Sequence, residues 1–174
     1  MKKTSLLIFV LLITLSGIVM ALQSEEQTQS KIIPLEITNP IKVVYQINTH
    51  KMKHKVNKGV HYLTYLMDHY KRLGIPKENI TLVAVFYGDS IFSLLKDPHF
   101  KNRSGHGGRG HRNPNVSAIE TLISNGVKVE ACSESMRIKK IPHSELLPGI
   151  DIIEGSYVRV IDLQHQGYAY IKFL

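Results

Sequence analysis

A chain of 174 residues, 43% hydrophobic and 21% charged, has the composition of one globular domain with a full hydrophobic core. Its formal charge of +8 is not gathered into a stripe of Lys and Arg interleaved with aromatics, which speaks against a nucleic-acid binder. With one cysteine, Cys132, an intramolecular disulfide is excluded.

The chain opens with a basic Met1-Lys2-Lys3, an apolar run without charge over 5–20, and small or tolerated residues at 19–21. This reads as a secretory signal peptide over 1–21, cut after Ala21, with an uncleaved anchor as the alternative. Its removal lowers the formal charge to +6, leaves no stably inserted membrane segment and places the protein in a periplasm or outside the cell. In such an oxidising compartment a lone cysteine is buried and inert, paired between chains, or a free thiol with a use. Residues 22–39 are rich in Gln, Glu and Ser and read as a polar linker, extended at most over 31–35.

The domain is expected over 40–174. Residues 41–48 are β-branched and aromatic without interruption, as in a strand covered on both faces. Val56, Val60, Leu63, Met67 and Tyr70 then recur at helical spacing until Gly74 and Pro76 stop the helix. Residues 79–87 form a second buried strand, and 91–95 a short helix. From 96 to 114 the chain is basic and rich in His and Gly and reads as a surface loop. A helix follows, starting with Asn113 as cap and Pro114 in first position, or at 115–117 with Glu120 closing a capping box.

Gly126 ends that helix. Val127, Val129 and Ala131 would face one side of the next strand and Lys128 and Glu130 the other, with Cys132 at its carboxyl end. In open α/β sheets reactive side chains gather at such ends, so Cys132 is the candidate reactive residue. One helical turn over 142–148, a strand over 151–153, a helix from a Ser156 cap to about His165 and a last strand over 168–173 complete the pattern. Strands alternating with helices predict a mainly parallel sheet with helices on both faces.

NPNVSAIETLISNGVKVEAC over 113–132, LLPGI over 146–150 and GYAYI over 167–171, together with the strand over 41–48, resemble the DsrE/DsrF-like sulfur-relay family. The resemblance implies a three-layer α/β/α sandwich with a five-stranded, mainly parallel sheet of flavodoxin or Rossmann-like type. It also implies assembly into homo-oligomers and, in several members, a cysteine carrying sulfur as a persulfide, at a position matched by Cys132. Many exported relatives have Gly-Gln after that cysteine, where this chain has Ser133-Glu134.

Sulfur carriage needs a thiolate at neutral pH. Backbone N–H groups after the strand end, Ser133, Ser135 and Arg137 are the candidates to stabilise it, and Asn48 and His50 stand at another strand's carboxyl end. The partners would be a sulfur donor or acceptor protein or a small thiol, and any enzymatic activity would be persulfide transfer. The plain alternative makes Cys132 a small buried hydrophobe in a non-catalytic ligand- or metal-binding or assembly module. The histidines His99, His106 and His111, with His50, His54 and His61, raise a metal site, but flexible glycines separate His106 from His111 and no Cys-x-x-Cys or His-Glu-x-x-His accompanies them. The turn after the first strand lacks the glycines of a dinucleotide site. Neither a metal nor a cofactor is therefore expected.

Overall fold

The computed structural model describes residues 30–37, 40–103 and 112–173. The chain divides into two units, Met1–Glu36 and Ile37–Leu174. In the first, the described residues 30–36 are exposed and form neither helix nor strand, and the expected signal peptide lies outside the described residues.

The second unit holds a five-stranded sheet made of β1 (Ile41–Ile47), β4 (Ile80–Phe86), β5 (Lys128–Cys132), β6 (Ile150–Ile153) and β7 (Ala169–Phe173). Their order is β6-β5-β4-β1-β7, and all four pairings are parallel rather than mainly so. Alternation divides the strands between two cores. Val43, Tyr45 and Ile47 of β1 and Leu82, Ala84 and Phe86 of β4 enter the larger one, with Val129 and Ala131 of β5. Val44, Val83 and Val85 face the smaller one. This double burial is why β1 and β4 read as continuous apolar runs.

On the larger side lie α1 (Lys58–Arg72), through Val60 and Leu63, and α3 (Val116–Ser124), through Ile119 and Leu122. The smaller side is covered by α5 (Ser156–His165), through Val160 and Leu163. The architecture is thus a parallel sheet with helices on both faces.

Helix α1 starts two residues later than its apolar period predicts. Val56 and Asn57 (β3) pair instead with Met52 and Lys53 (β2) in a small antiparallel ribbon. His54 and Lys55 turn that ribbon at φ +50° and +70°, a left-handed geometry costly for side chains larger than glycine. Asn57 then caps α1, its Oδ1 accepting from the N–H groups of Gly59 at 2.8 Å and Val60 at 3.4 Å.

The segment expected to be a loop contains a further helix, α2 (Asp97–Arg103). Asp97 and Pro98 suit a first helical turn. Phe100 buries its ring, and Arg103 forks onto Glu145 at 2.6 and 2.8 Å. One buried residue gives no apolar period, so the pattern concealed this helix. Residues 104–111, including His106 and His111, lie outside the described residues.

Helix α3 starts in the later of the two expected places, with Asn115 in the cap position, but no side chain makes a capping bond there. Asn113 and Asn115 are buried and serve the core instead. Asn113 Nδ2 donates to the Ser93 and Leu95 carbonyls at 2.9 and 2.6 Å, and its Oδ1 accepts from Asn115. Asn115 Oδ1 in turn accepts from Asn57 N–H at 2.6 Å. Asn113→Ala is expected to lower stability by roughly 2–4 kcal/mol, because it strands several buried polar groups at once. Urea unfolding checks this, and Asn113→Asp should recover little, since a carboxylate has no proton for the two carbonyls.

Candidate functional site

Cys132 is the last residue of β5, and α4 (Ser133–Ile138) begins immediately behind it. Ala131 points into the larger core, so Cys132 turns to the opposite face, the side covered by α5. The thiol is free and only 4% exposed. Burial by itself raises a thiol pKa, yet Cys132 is held below its ordinary value. Hydrogen bonds from Ser135, through both its N–H and its hydroxyl, and from the N–H groups of Ser156 and Glu134 outweigh the burial. The donors come from two elements, the turn that starts α4 and the first residue of α5. Among the described residues no Lys or Arg adds to this lowering.

The Ser135 hydroxyl is itself supported. Its Oγ accepts from Gly88 N–H at 2.9 Å, leaving the hydroxyl hydrogen for sulfur. Gly88 follows β4 at φ +58°, where an added Cβ would sit 2.2 Å from Asn48 Oδ1. A chain Gly88 N–H, Ser135 O–H, sulfur therefore runs from the end of β4 to the end of β5, each bond polarising the next. Ser135→Ala removes the hydroxyl donor. The pH midpoint of Cys132 alkylation is expected to rise, with the folded state retained, and rates measured across pH decide it.

Of the residues expected around the thiol, only Ser135 touches it by its side chain. Ser133 Oγ donates to the Glu154 carbonyl at 2.8 Å, joining the ends of β5 and β6. Arg137 is spread over Glu134 at 2.6 and 2.8 Å on the surface, and thus does not serve the sulfur. Asn48 lies at the end of β1 and hydrogen-bonds the Tyr87 side chain. His50 Nδ1 stands 3.8 Å from Asp89, which also pairs with Lys139.

The sequence pattern makes Ser156 a cap. In the structure it is the first residue of α5, with Gly155 in the cap position, and its N–H meets the thiol. The signal for it is a Gly-Ser pair one residue past a short strand, the place where helix amides collect at a sheet's carboxyl edge. Two further neighbours escaped the sequence reading. Tyr87 and Tyr157 meet edge to face at 5.7 Å, each one residue from a member of the thiol's hydrogen-bond network. Burial first, and Tyr157 second, push the Tyr87 phenol above its ordinary pKa, so it remains protonated across the neutral range.

The rings of His54 and His61 meet tilted, with centroids 5.1 Å apart, and His99 lies 3.4 Å from Glu145. Among the described residues no three His, Cys, Asp or Glu side chains converge as a metal site would require. No helix among them is long and apolar enough to cross a membrane.

An all-parallel α/β sheet with a hydrogen-bonded thiol at its carboxyl edge defines the class of the domain. The DsrE/DsrF-like family profile matches residues 47–173, and the chain belongs to that family. Two solved structures share the fold. One, from Methanobacterium thermoautotrophicum, is a protein of unknown function, MTH1491, at 20% identity and a TM-score of 0.53, with 76% of this chain and 99% of that one covered. The other is the ychN protein from E. coli, at 13% identity and a TM-score of 0.54, with 76% and 100% covered. No curated protein matches the chain.

Proposed function

We propose that this DsrE/DsrF-like protein carries sulfur as a persulfide on Cys132. The observation that supports the reading is the set of N–H and O–H donors on a sulfur that is otherwise buried. A merely apolar cysteine needs no such partners. In the step envisaged, the Cys132 thiolate attacks the terminal sulfur of a donor persulfide, and the donor leaves as its thiolate. The terminal sulfur is now bonded to Cys132. Attack on it by an acceptor thiolate returns Cys132 as thiolate, so the two exchanges involve no net oxidation. Amide N–H groups suit the negative sulfur present before and after each step.

The donor and acceptor are proteins of a sulfur relay or small thiols, and the carrier works as a homo-oligomer. Export through the apolar start of the chain, to a periplasm or beyond, belongs to the same proposal. Burial of the thiol favours one other reading, a binding or assembly module in which Cys132 is structural. Mass spectrometry of the reduced protein after exposure to polysulfide, and separately to thiosulfate, separates the two. A gain of sulfur mapped to the Cys132 peptide supports carriage. A thiol that takes up no sulfur and reacts only after unfolding supports the structural role.

A further inference from the structure

Glu130 is a carboxylate on the buried face of β5, 3% exposed, two residues before Cys132 and on the same side of the sheet. Its partner is Arg159, in the first turn of α5. The guanidinium grips the carboxylate through Nε at 2.9 and 3.2 Å and through Nη2 at 2.7 Å. Its remaining nitrogen, Nη1, bonds Asp162 at 2.8 Å. Stability alone does not call for this arrangement, because a buried ion pair gains little over apolar packing of equal volume. A forked pair does fix orientation, since the planar guanidinium accepts the carboxylate in few geometries.

What it orients is the amino end of α5. Arg159 N–H bonds the Gly155 carbonyl at 3.1 Å, within the turn whose first residue, Ser156, directs its N–H to the Cys132 sulfur. A second tie, from Ser133 Oγ to the Glu154 carbonyl, holds the approach to that turn.

We infer that Glu130 and Arg159 are a positioning pair, locking the first turn of α5 onto the end of β5 so that the Ser156 N–H stays on the Cys132 sulfur. The pair touches no reacting atom. It acts through the backbone of α5, and the inference rests on Cys132 being the working thiol.

The charged groups around the thiol leave this route open. On α4, Glu134 is neutralised by Arg137, and beyond it Lys139 pairs with Asp89 after β4. On α5, Asp162 is held by Arg159 itself. Tyr87 and Tyr157 contribute phenols.

The test is the rate of Cys132 alkylation by iodoacetamide across pH, in the full chain, for the wild type, Arg159→Lys and the paired change Glu130→Gln with Arg159→Met. The paired change leaves no unpaired buried charge, and Arg159→Lys keeps the charge but loses the fork. Both are expected to raise the pH midpoint by about half to one unit, lowering the rate at neutral pH several-fold. Asp162→Asn, which removes only the outer partner of Arg159, is expected to leave the midpoint in place. Overlapping profiles for wild type and both clamp variants would falsify the inference. A change of rate at every pH with a fixed midpoint, which is altered exposure alone, overturns it equally. A wild-type thiol inert at every pH overturns this inference and the carrier reading together. A low wild-type midpoint without any sulfur uptake overturns the carrier reading alone.

Discussion

Cys132→Ser is expected to abolish sulfur loading while leaving the domain folded. Serine has nearly the same shape, and its oxygen can accept from the N–H groups of Ser156, Glu134 and Ser135 that now meet the sulfur. Loading should fall to background in mass spectrometry, while the far-ultraviolet circular dichroism is retained. A stability difference of more than about 2 kcal/mol at neutral pH would instead mark Cys132 as a packed core residue. The pH dependence adds a second readout. The folded thiol titrates below its unfolded counterpart, so the thiolate stabilises the fold fully above the unfolded pKa of about 8.5. That contribution is lost as pH falls through the folded value. Wild type should therefore gain on Cys132→Ser as pH rises through this window, in paired denaturant titrations. Equal curves at every pH would mean that the thiol is not hydrogen-bonded as described.

Gly88→Ala has the second large effect expected. The position combines φ +58° with a would-be Cβ only 2.2 Å from Asn48 Oδ1, so the new methyl meets both backbone strain and a side chain. Left-handed strain and the displacement of Asn48 together should cost roughly 2–4 kcal/mol. Because Gly88 N–H supports the Ser135 hydroxyl, the Cys132 alkylation midpoint should rise as well. Gly126→Ala is the control. It also lies at positive φ, but an added Cβ there would meet nothing within 4 Å. It should show the backbone cost alone and leave the thiol unchanged. Urea midpoints and alkylation profiles of the two variants, compared directly, decide whether the contact with Asn48 matters.

The sheet was legible because β1 and β4 are buried on both faces and therefore announce themselves as unbroken apolar runs. The place of Cys132 at the end of β5 was legible for a related reason. Alternation over 127–131 fixes where β5 ends, and reactive groups collect at such ends in this class of sheet. Its setting was harder to read, because the partners come from other segments. Glu130 reads as a solvent-facing charge in a half-polar strand, and only Arg159, twenty-nine residues further on, makes it an interior group. Arg137 invited assignment to the sulfur, although Glu134 three residues earlier is the nearer claimant on a helix and takes it. Asn113 and Asn115 have the composition of a cap. Their use as core hydrogen-bond partners depends on Ser93, Leu95 and Asn57, which no local spacing brings together.

The parallel sheet also sets the order in which the domain can be completed. Strand β1 lies between β4 and β7, and Val43 pairs with Ala169, a residue 126 positions further along. The ring of Phe173 closes the same seam, stacking on Tyr45 at 4.9 Å and on Tyr62 at 5.4 Å. Such distant pairing is slow to find, since a long loop must close before any contact repays the loss of chain entropy. Until β7 arrives, one edge of β1 carries unpaired amides along an apolar strand, a template for pairing with another chain. A newly made or partly unfolded chain is thus most exposed to aggregation along that flank, on the far side of β4 from Cys132.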